Sequence, residues 1–185
     1  KTRFNFLMGH RGFKRGNIHL LVGDIGQGKS TLVRSILVDV ATSKKVLILL
    51  TEENPSDFKF QMSVNESANE ETLSNIYNLS ERTFDPKSVM DWIEKIKKTI
   101  TDNKIELFIY DNISTGVMSV DHKLQAKLMY HLKGVAEELN IPIVIVSHTV
   151  KNPFYKSKKI TKKEAKVVKV TNSTWFCNND IWIYS

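Results

Sequence analysis

Short, mostly apolar runs alternate along the chain with longer stretches in which apolar residues recur every three or four positions. The runs at 18–22, 46–50, 107–110 and 143–146 read Ile-His-Leu-Leu-Val, Val-Leu-Ile-Leu-Leu, Leu-Phe-Ile-Tyr and Ile-Val-Ile-Val. Strands that are apolar on both faces belong in a parallel sheet covered by helices on each side. Further strands are predicted at 76–79 and 181–184. Helical spacing predicts helices over 29–42, 56–63, 86–101 and 124–139, and a short one near 173–178. Asn54-Pro55, Asp85-Pro86 and Asn152-Pro153 mark the breaks. The alternation predicts an α/β fold, a mostly parallel central sheet with helices on both faces.

A length of 185 residues suits a single domain spanning 1–185. Apolar residues are 41% and charged residues 25%, which supports a packed core and excludes wholesale disorder. No apolar run approaches the ~20 residues that span a bilayer, so no membrane partner is expected. Cys177 is alone, which excludes an intrachain disulfide and a multi-cysteine metal site and fits an intracellular, cytoplasmic setting. His10, His19, His122 and His131 show no metal-ligand spacing and read as surface or packing residues.

Charge changes the picture in one place. The formal net charge is +7, and residues 151–169 alone supply it: Lys151, Lys156, Lys158, Lys159, Lys162, Lys163, Lys166 and Lys169 against Glu164. A neutral body carrying one Lys-rich loop suggests a polyanion-facing segment, with nucleic acid the leading partner. A solvated loop that keeps the chain soluble is the other reading of the same charge. Phe154 and Tyr155 inside it can stack on bases or pack the loop against the body.

The most specific signal is Gly23-Asp24-Ile25-Gly26-Gln27-Gly28-Lys29-Ser30, a full match to G-x-x-x-x-G-K-[ST] between a strand and a helix. Gly23, Gly26 and Gly28 permit a tight turn whose N–H groups face a phosphate, and the helix dipole adds to that anion site. Lys29 supplies a charge to the β- and γ-phosphates, Ser30 a hydroxyl to Mg²⁺, and Thr31 stands near the α-phosphate. This implies binding of ATP or another nucleoside triphosphate with Mg²⁺.

Three more strand ends carry candidate chemistry. The run at 107–110 ends in Asp111, the Walker B pattern, which would hold the water shell of Mg²⁺. Glu52 and Glu53 follow 46–50, expected on the strand neighbouring the phosphate loop, where a carboxylate can polarise the attacking water. Glu52 is preferred as that base, and either acid could instead serve the start of the next helix before Pro55. His148 ends 143–147 and can report the γ-phosphate to the Lys-rich loop that follows directly, or simply cap its strand.

Taken in this order, these elements resemble the RecA-like motor domain of replicative hexameric helicases, of the phage primase–helicase, Twinkle and DnaB types. The lead-in Arg11-Gly12-Phe13-Lys14-Arg15-Gly16-Asn17-Ile18 is similar to the family's first-strand approach. So are Leu50-Thr51-Glu52-Glu53, Tyr110-Asp111-Asn112-Ile113-Ser114 and Ser147-His148-Thr149-Val150-Lys151-Asn152-Pro153. The closing Asn172-Ser173-Thr174 and Asn179-Asp180-Ile181-Trp182-Ile183 are similar to its last strand. The resemblance implies catalytic and sensor roles for Lys29, Ser30, Glu52, Asp111 and His148. It also implies two channel loops at 115–123 and 151–169, and a hexameric ring with ATP between subunits. The resemblance also implies an arginine supplied by the neighbouring subunit; no arginine follows Arg82 in these 185 residues, so that arginine either lies beyond Ser185 or is absent.

The leading expectation is therefore an ATP-hydrolysing helicase or translocase domain that grips single-stranded DNA and serves DNA replication. Alternatives are a RecA-like recombination or accessory ATPase, and a nucleotide-gated regulatory ATPase without a motor. A small-molecule kinase fits less well, because its lid would carry phosphate-clamping arginines where this chain has lysines.

Overall fold

Strand β2, Val46–Leu50, is buried at every residue, as a strand covered on both faces must be. It lies in a seven-stranded sheet of order β3-β2-β4-β5-β1-β7-β6. The strands are β1 Ile18–Gly23, β2, β3 Ile76–Ser80, β4 Leu107–Asp111, β5 Ile143–His148, β6 Phe176–Asn178 and β7 Ile181–Tyr184. The first five in that spatial order run parallel, and β7 and β6 add an antiparallel edge. The computed structural model describes residues 12–65, 68–81, 88–116 and 122–148, together with the strands β6 and β7.

Alternation along each strand divides the core in two. Leu47, Leu49, Phe108, Tyr110, Ile143 and Ile145 face one side. There they meet α4, Val89–Asn103, and α5, His122–Leu139. Val46, Ile48, Leu50, Leu107, Ile109, Val144 and Val146 face the other, against α1, Lys29–Ala41, and α2, Pro55–Ser63. The doubly apolar runs of the sequence are this arrangement written along the chain. In α4, Val89, Trp92, Ile93, Ile96 and Ile100 form the single buried stripe of an amphipathic helix. Ser88 caps its start by accepting from the Asp91 N–H, and Lys104 ends it in the left-handed region.

The α/β fold and the six expected strands are present, and the helices over 29–42, 56–63, 86–101 and 124–139 appear with shifted ends. Residues 86 and 87 lie outside the described residues, and α4 begins at Val89. Two expectations are corrected. The short helix near 173–178 is instead strand β6 at Phe176–Asn178, paired to β7 through Cys177↔Trp182. Glu52 does not follow the strand beside the phosphate-loop strand, because β4 and β5 stand between β2 and β1. Helix α3, Glu70–Ser74, is a single turn too short to show a period in the sequence.

No helix among the described residues is long and apolar enough to cross a membrane.

Candidate functional site

Parallel strands place all their carboxyl ends on one edge of the sheet, where open α/β sheets bind their ligands. Register brings the expected residues to that edge. Gly23 pairs with His148 across β1 and β5, and Leu50 pairs with Asp111 across β2 and β4. Backbone bonds carry the alignment past the strand ends, from Thr51 N to Asp111 O at 2.9 Å and from Ile113 N to Val146 O at 2.9 Å.

Residues 24–28 turn from β1 into α1. Gly28 is the N-cap of α1 at φ 80°, and no side chain caps that end, so the first N–H groups of the helix face the loop. Gly26 also has a positive φ, and a Cβ at either glycine would enter open space. Gly23 differs from expectation: it stays in β1 and needs no left-handed backbone. Asp24, Ile25 and Gln27 fill the variable loop positions, with Gln27 N closing onto Asp24 O at 3.4 Å. Ile25 is 76% exposed at the tip.

Lys29 is buried and donates from Nζ to the carbonyls of Gly23 and Asp24, both at 2.7 Å. Burial pulls its ammonium below the ordinary lysine range, while Asp111, Asp24 and Glu52 oppose that shift. Asp111 is pushed above the usual carboxylate range, first by burial. A hydrogen bond from Ser30 and the charge of Arg34 act against this, and Glu52 and Glu53 add to it. A desolvated carboxyl bonded to a serine hydroxyl, among other acids, is a site a divalent cation would relieve of charge repulsion. The donor set therefore fits Mg²⁺, with Ser30 and Asp111 as the residues that would hold it. Uncapped helix N–H groups, open glycines and a buried ammonium likewise fit a triphosphate.

The two glutamates separate cleanly. Glu53 accepts from Arg34 Nη2 at 2.8 Å and from Gln61 Nε2 at 2.8 Å, which ties it to α1 and α2. It does not serve as the helix cap, because Asn54 accepts from the Ser56 N–H and Asp57 occupies the first turn. Glu52 stays 57% exposed, and polar groups of the site reach it. Asn112 Nδ2 lies 3.3 Å from Glu52 Oε1, and His148 Nε2 lies 3.7 Å from it. A 590 Å³ cleft at Glu52 is also lined by Glu53, Asn54, Asp57 and Gln61.

Thus the structure gathers Lys29, Ser30, Asp111, Glu52 and His148 at one sheet edge. Thr31 lies in the first turn of α1. Lys151, Lys156, Lys158, Lys159, Lys162 and Lys163 lie outside the described residues, as do positions 117–121 of the other expected loop. No group of three or more potential metal-ligating His, Cys, Asp or Glu side chains occurs among the described residues. His19 is a packing residue, 1% exposed with its ring edge-on to Phe13.

Residues 2–170 match the family model described as "ATPase: KaiC". The chain belongs to the KaiC-type ATPase family. No functionally curated protein is similar enough to this KaiC-type ATPase to count as a match. Among solved structures, the crystal structure of the RadB recombinase is similar with a TM-score of 0.59 and 24% identity, over 84% of this chain and 71% of that one. That likeness supports a RecA-like ATPase fold and nothing finer, and 426 solved chains match, so the fold alone selects no function.

In this KaiC-type ATPase two residues to which the sequence pattern assigns no part in the site also join it. Asn112 is 3% exposed, and its side chain reaches Glu52, His148 and Thr115. The only visible signal was its place directly after Asp111. Arg34 gave no signal at all, since nothing in the linear pattern ties the middle of α1 to Glu53.

Proposed function

We propose that this ATPase is the motor domain of a DNA helicase or translocase, working as a hexameric ring in DNA replication and binding single-stranded DNA through its basic segment. One observation carries the reading. His148 stands in the site with Glu52 and Asn112, and the chain continues from it, within a few residues, into the lysines of 151–169. Such continuity gives nucleotide state a short path to a polyanion-binding segment.

In hydrolysis, Glu52 takes a proton from water, and the resulting hydroxide oxygen bonds the γ-phosphorus in line as the bond to the β–γ bridging oxygen breaks. Lys29 and the N–H groups at the start of α1 hold the β- and γ-oxygens and offset their growing charge. Ser30 and Asp111 would hold Mg²⁺, which would supply Lewis-acid neutralisation of the phosphate charge. Glu53 keeps the loop that carries Glu52 fixed to α1 through Arg34. His148 reads the γ-phosphate.

The likeness to a structure named as a recombinase supports a second reading, a RecA-like recombination or accessory ATPase. Unwinding and strand-exchange assays separate the two. The first experiment is ATP turnover with and without single-stranded DNA at low salt, beside Lys29→Ala. Stimulation of tenfold or more that vanishes in the variant is expected. Turnover that ignores DNA overturns the DNA motor and leaves a regulatory ATPase.

A further inference from the structure

Asn112 uses every polar atom of its side chain within the site. Its Oδ1 accepts from the Thr115 backbone N–H at 3.0 Å and from the Thr115 hydroxyl at 3.0 Å. A backbone N–H can only donate, so the atom facing it is the amide oxygen, and the NH₂ points to the other side. That NH₂ lies 3.0 Å from His148 Nε2 and 3.3 Å from Glu52 Oε1. An amide NH₂ donates and does not accept. His148 Nε2 must therefore accept, which places the ring proton on Nδ1. Nδ1 is buried and has no partner among the described residues.

From these contacts, and resting on the reading of Glu52 as the water-activating carboxylate, we infer that Asn112 is a positioning residue that fixes the tautomer of His148 and ties Glu52 to the turn at 112–115. One amide joins three elements: the tip of β2 through Glu52, the tip of β5 through His148, and the turn beyond β4 through Thr115. The turn is anchored a second time, because Asn112 N donates to Thr51 Oγ1 at 3.0 Å and Thr51 Oγ1 lies 2.7 Å from Thr115 Oγ1. Hydrogen bonds to a carboxylate are stronger than those to a neutral carboxyl. When Glu52 takes the proton of the attacking water, its hold on the Asn112 NH₂ weakens. The amide can then shift toward His148, and Thr115 feels the same movement through Oδ1. Asn112 thereby passes the protonation state of the base to both chain segments that leave the site.

The test is ¹⁵N NMR of the full chain labelled at histidine nitrogens, near pH 8, with the His148 signal identified by its loss in His148→Gln. ATP turnover and ATP affinity are measured on the same variants. The expected result is a proton on Nδ1 of His148 in the unsubstituted chain and a shift toward the Nε2 form in Asn112→Ala. That variant should lose tenfold or more in kcat while its ATP Kd stays within threefold. Asn112→Asp keeps the oxygen that Thr115 needs, so it serves if the alanine variant does not fold. It should also move the proton to Nε2, because a carboxylate only accepts. A proton on Nε2 in the unsubstituted chain overturns the inference, as does an unmoved tautomer in Asn112→Asp or an unchanged kcat in a folded Asn112→Ala. If the unsubstituted chain hydrolyses no ATP but the tautomer moves as stated, the shared amide stands and the role given to Glu52 fails.

Discussion

Asn112 Nδ2 and His148 Nε2 lie 3.0 Å apart, joining the turn after β4 to the last residue of β5 by side chains rather than by the sheet ladder. Three of the strand tips that meet at the nucleotide edge are held in this way. Thr51 and Glu52 carry the bond to the tip of β2, and Ser114 Oγ accepts from His148 N at 2.9 Å. The site is thus fixed by short polar links built on a rigid apolar sheet.

Arg34 and Glu53 form the link between α1 and the loop of Glu52, with both side chains mostly buried. Arg34→Ala leaves Glu53 without its cation beside Glu52 and Asp111. An expected loss of about 1–3 kcal/mol in stability follows from a partly buried charge left unpaired. Turnover should fall about tenfold, with ATP affinity less affected. Denaturant melts and steady-state kinetics check this; a variant with unchanged kcat would remove Arg34 from any part in placing Glu52.

His19 gives the chain an acid-side weakness. Burial holds its imidazole below the ordinary value of 6.5, against the bond between Nε2 and Lys14 O, and the charge of Lys133 adds to the lowering. Below that value the unfolded chain binds a proton that the folded chain refuses, so stability falls as pH drops through 6.5. The slope from this one group is at most about 1.4 kcal/mol per pH unit. Urea melts from pH 8 to pH 5 should show it, and His19→Phe should flatten it.

The sequence made the strands and the phosphate loop legible for a physical reason. Val46–Leu50 must be apolar on both faces to sit mid-sheet, and residues 23–30 must carry a fixed pattern to cradle phosphate. Glu52, Asp111 and His148 were legible as strand-end polar residues. Strand order is not written in the linear pattern, and β2, which carries Glu52, lies two strands away from where an adjacent position to β1 would put it. Asn112 was invisible because its role depends on reaching the tips of β2 and β5, which lie 60 and 36 residues away in the chain. Phe176–Asn178 is only three residues, too short for a period of 2 to be told from a period of 3.6.

Gly116 is seated against Tyr110. A Cβ there would overlap Tyr110 Oη and press on Glu81 Oε2, and Tyr110 itself donates to buried Glu81 Oε1 at 2.9 Å. Gly116→Ala should cost about 1–3 kcal/mol by overpacking. The same substitution should cost less when added to Tyr110→Phe, which frees the space of the hydroxyl. A double-mutant cycle in thermal unfolding reads the difference.

The lysines of 151–169 should act as phosphate contacts. Reversing Lys156, Lys158, Lys159 and Lys162 to Glu is expected to abolish single-stranded DNA binding and leave ATP affinity unchanged. Single lysine-to-alanine changes should each lower the salt dependence of binding by a slope of about 0.7. Fluorescence titrations across a salt series would reveal it, and DNA affinity that survived the fourfold reversal at low salt would remove this segment from the interface.

The role of Glu52 is decided by ATP turnover of Glu52→Gln and Glu53→Gln beside the unsubstituted chain, with ATP affinity measured on all three. With Glu52 as the water-activating base, Glu52→Gln is expected to bind ATP with a Kd within threefold and to lose 100-fold or more in kcat, a size typical of a removed general base. Glu53→Gln should lose far less. Equal losses in the two variants, or a Glu52→Gln that turns over within threefold of the unsubstituted chain, would contradict that role.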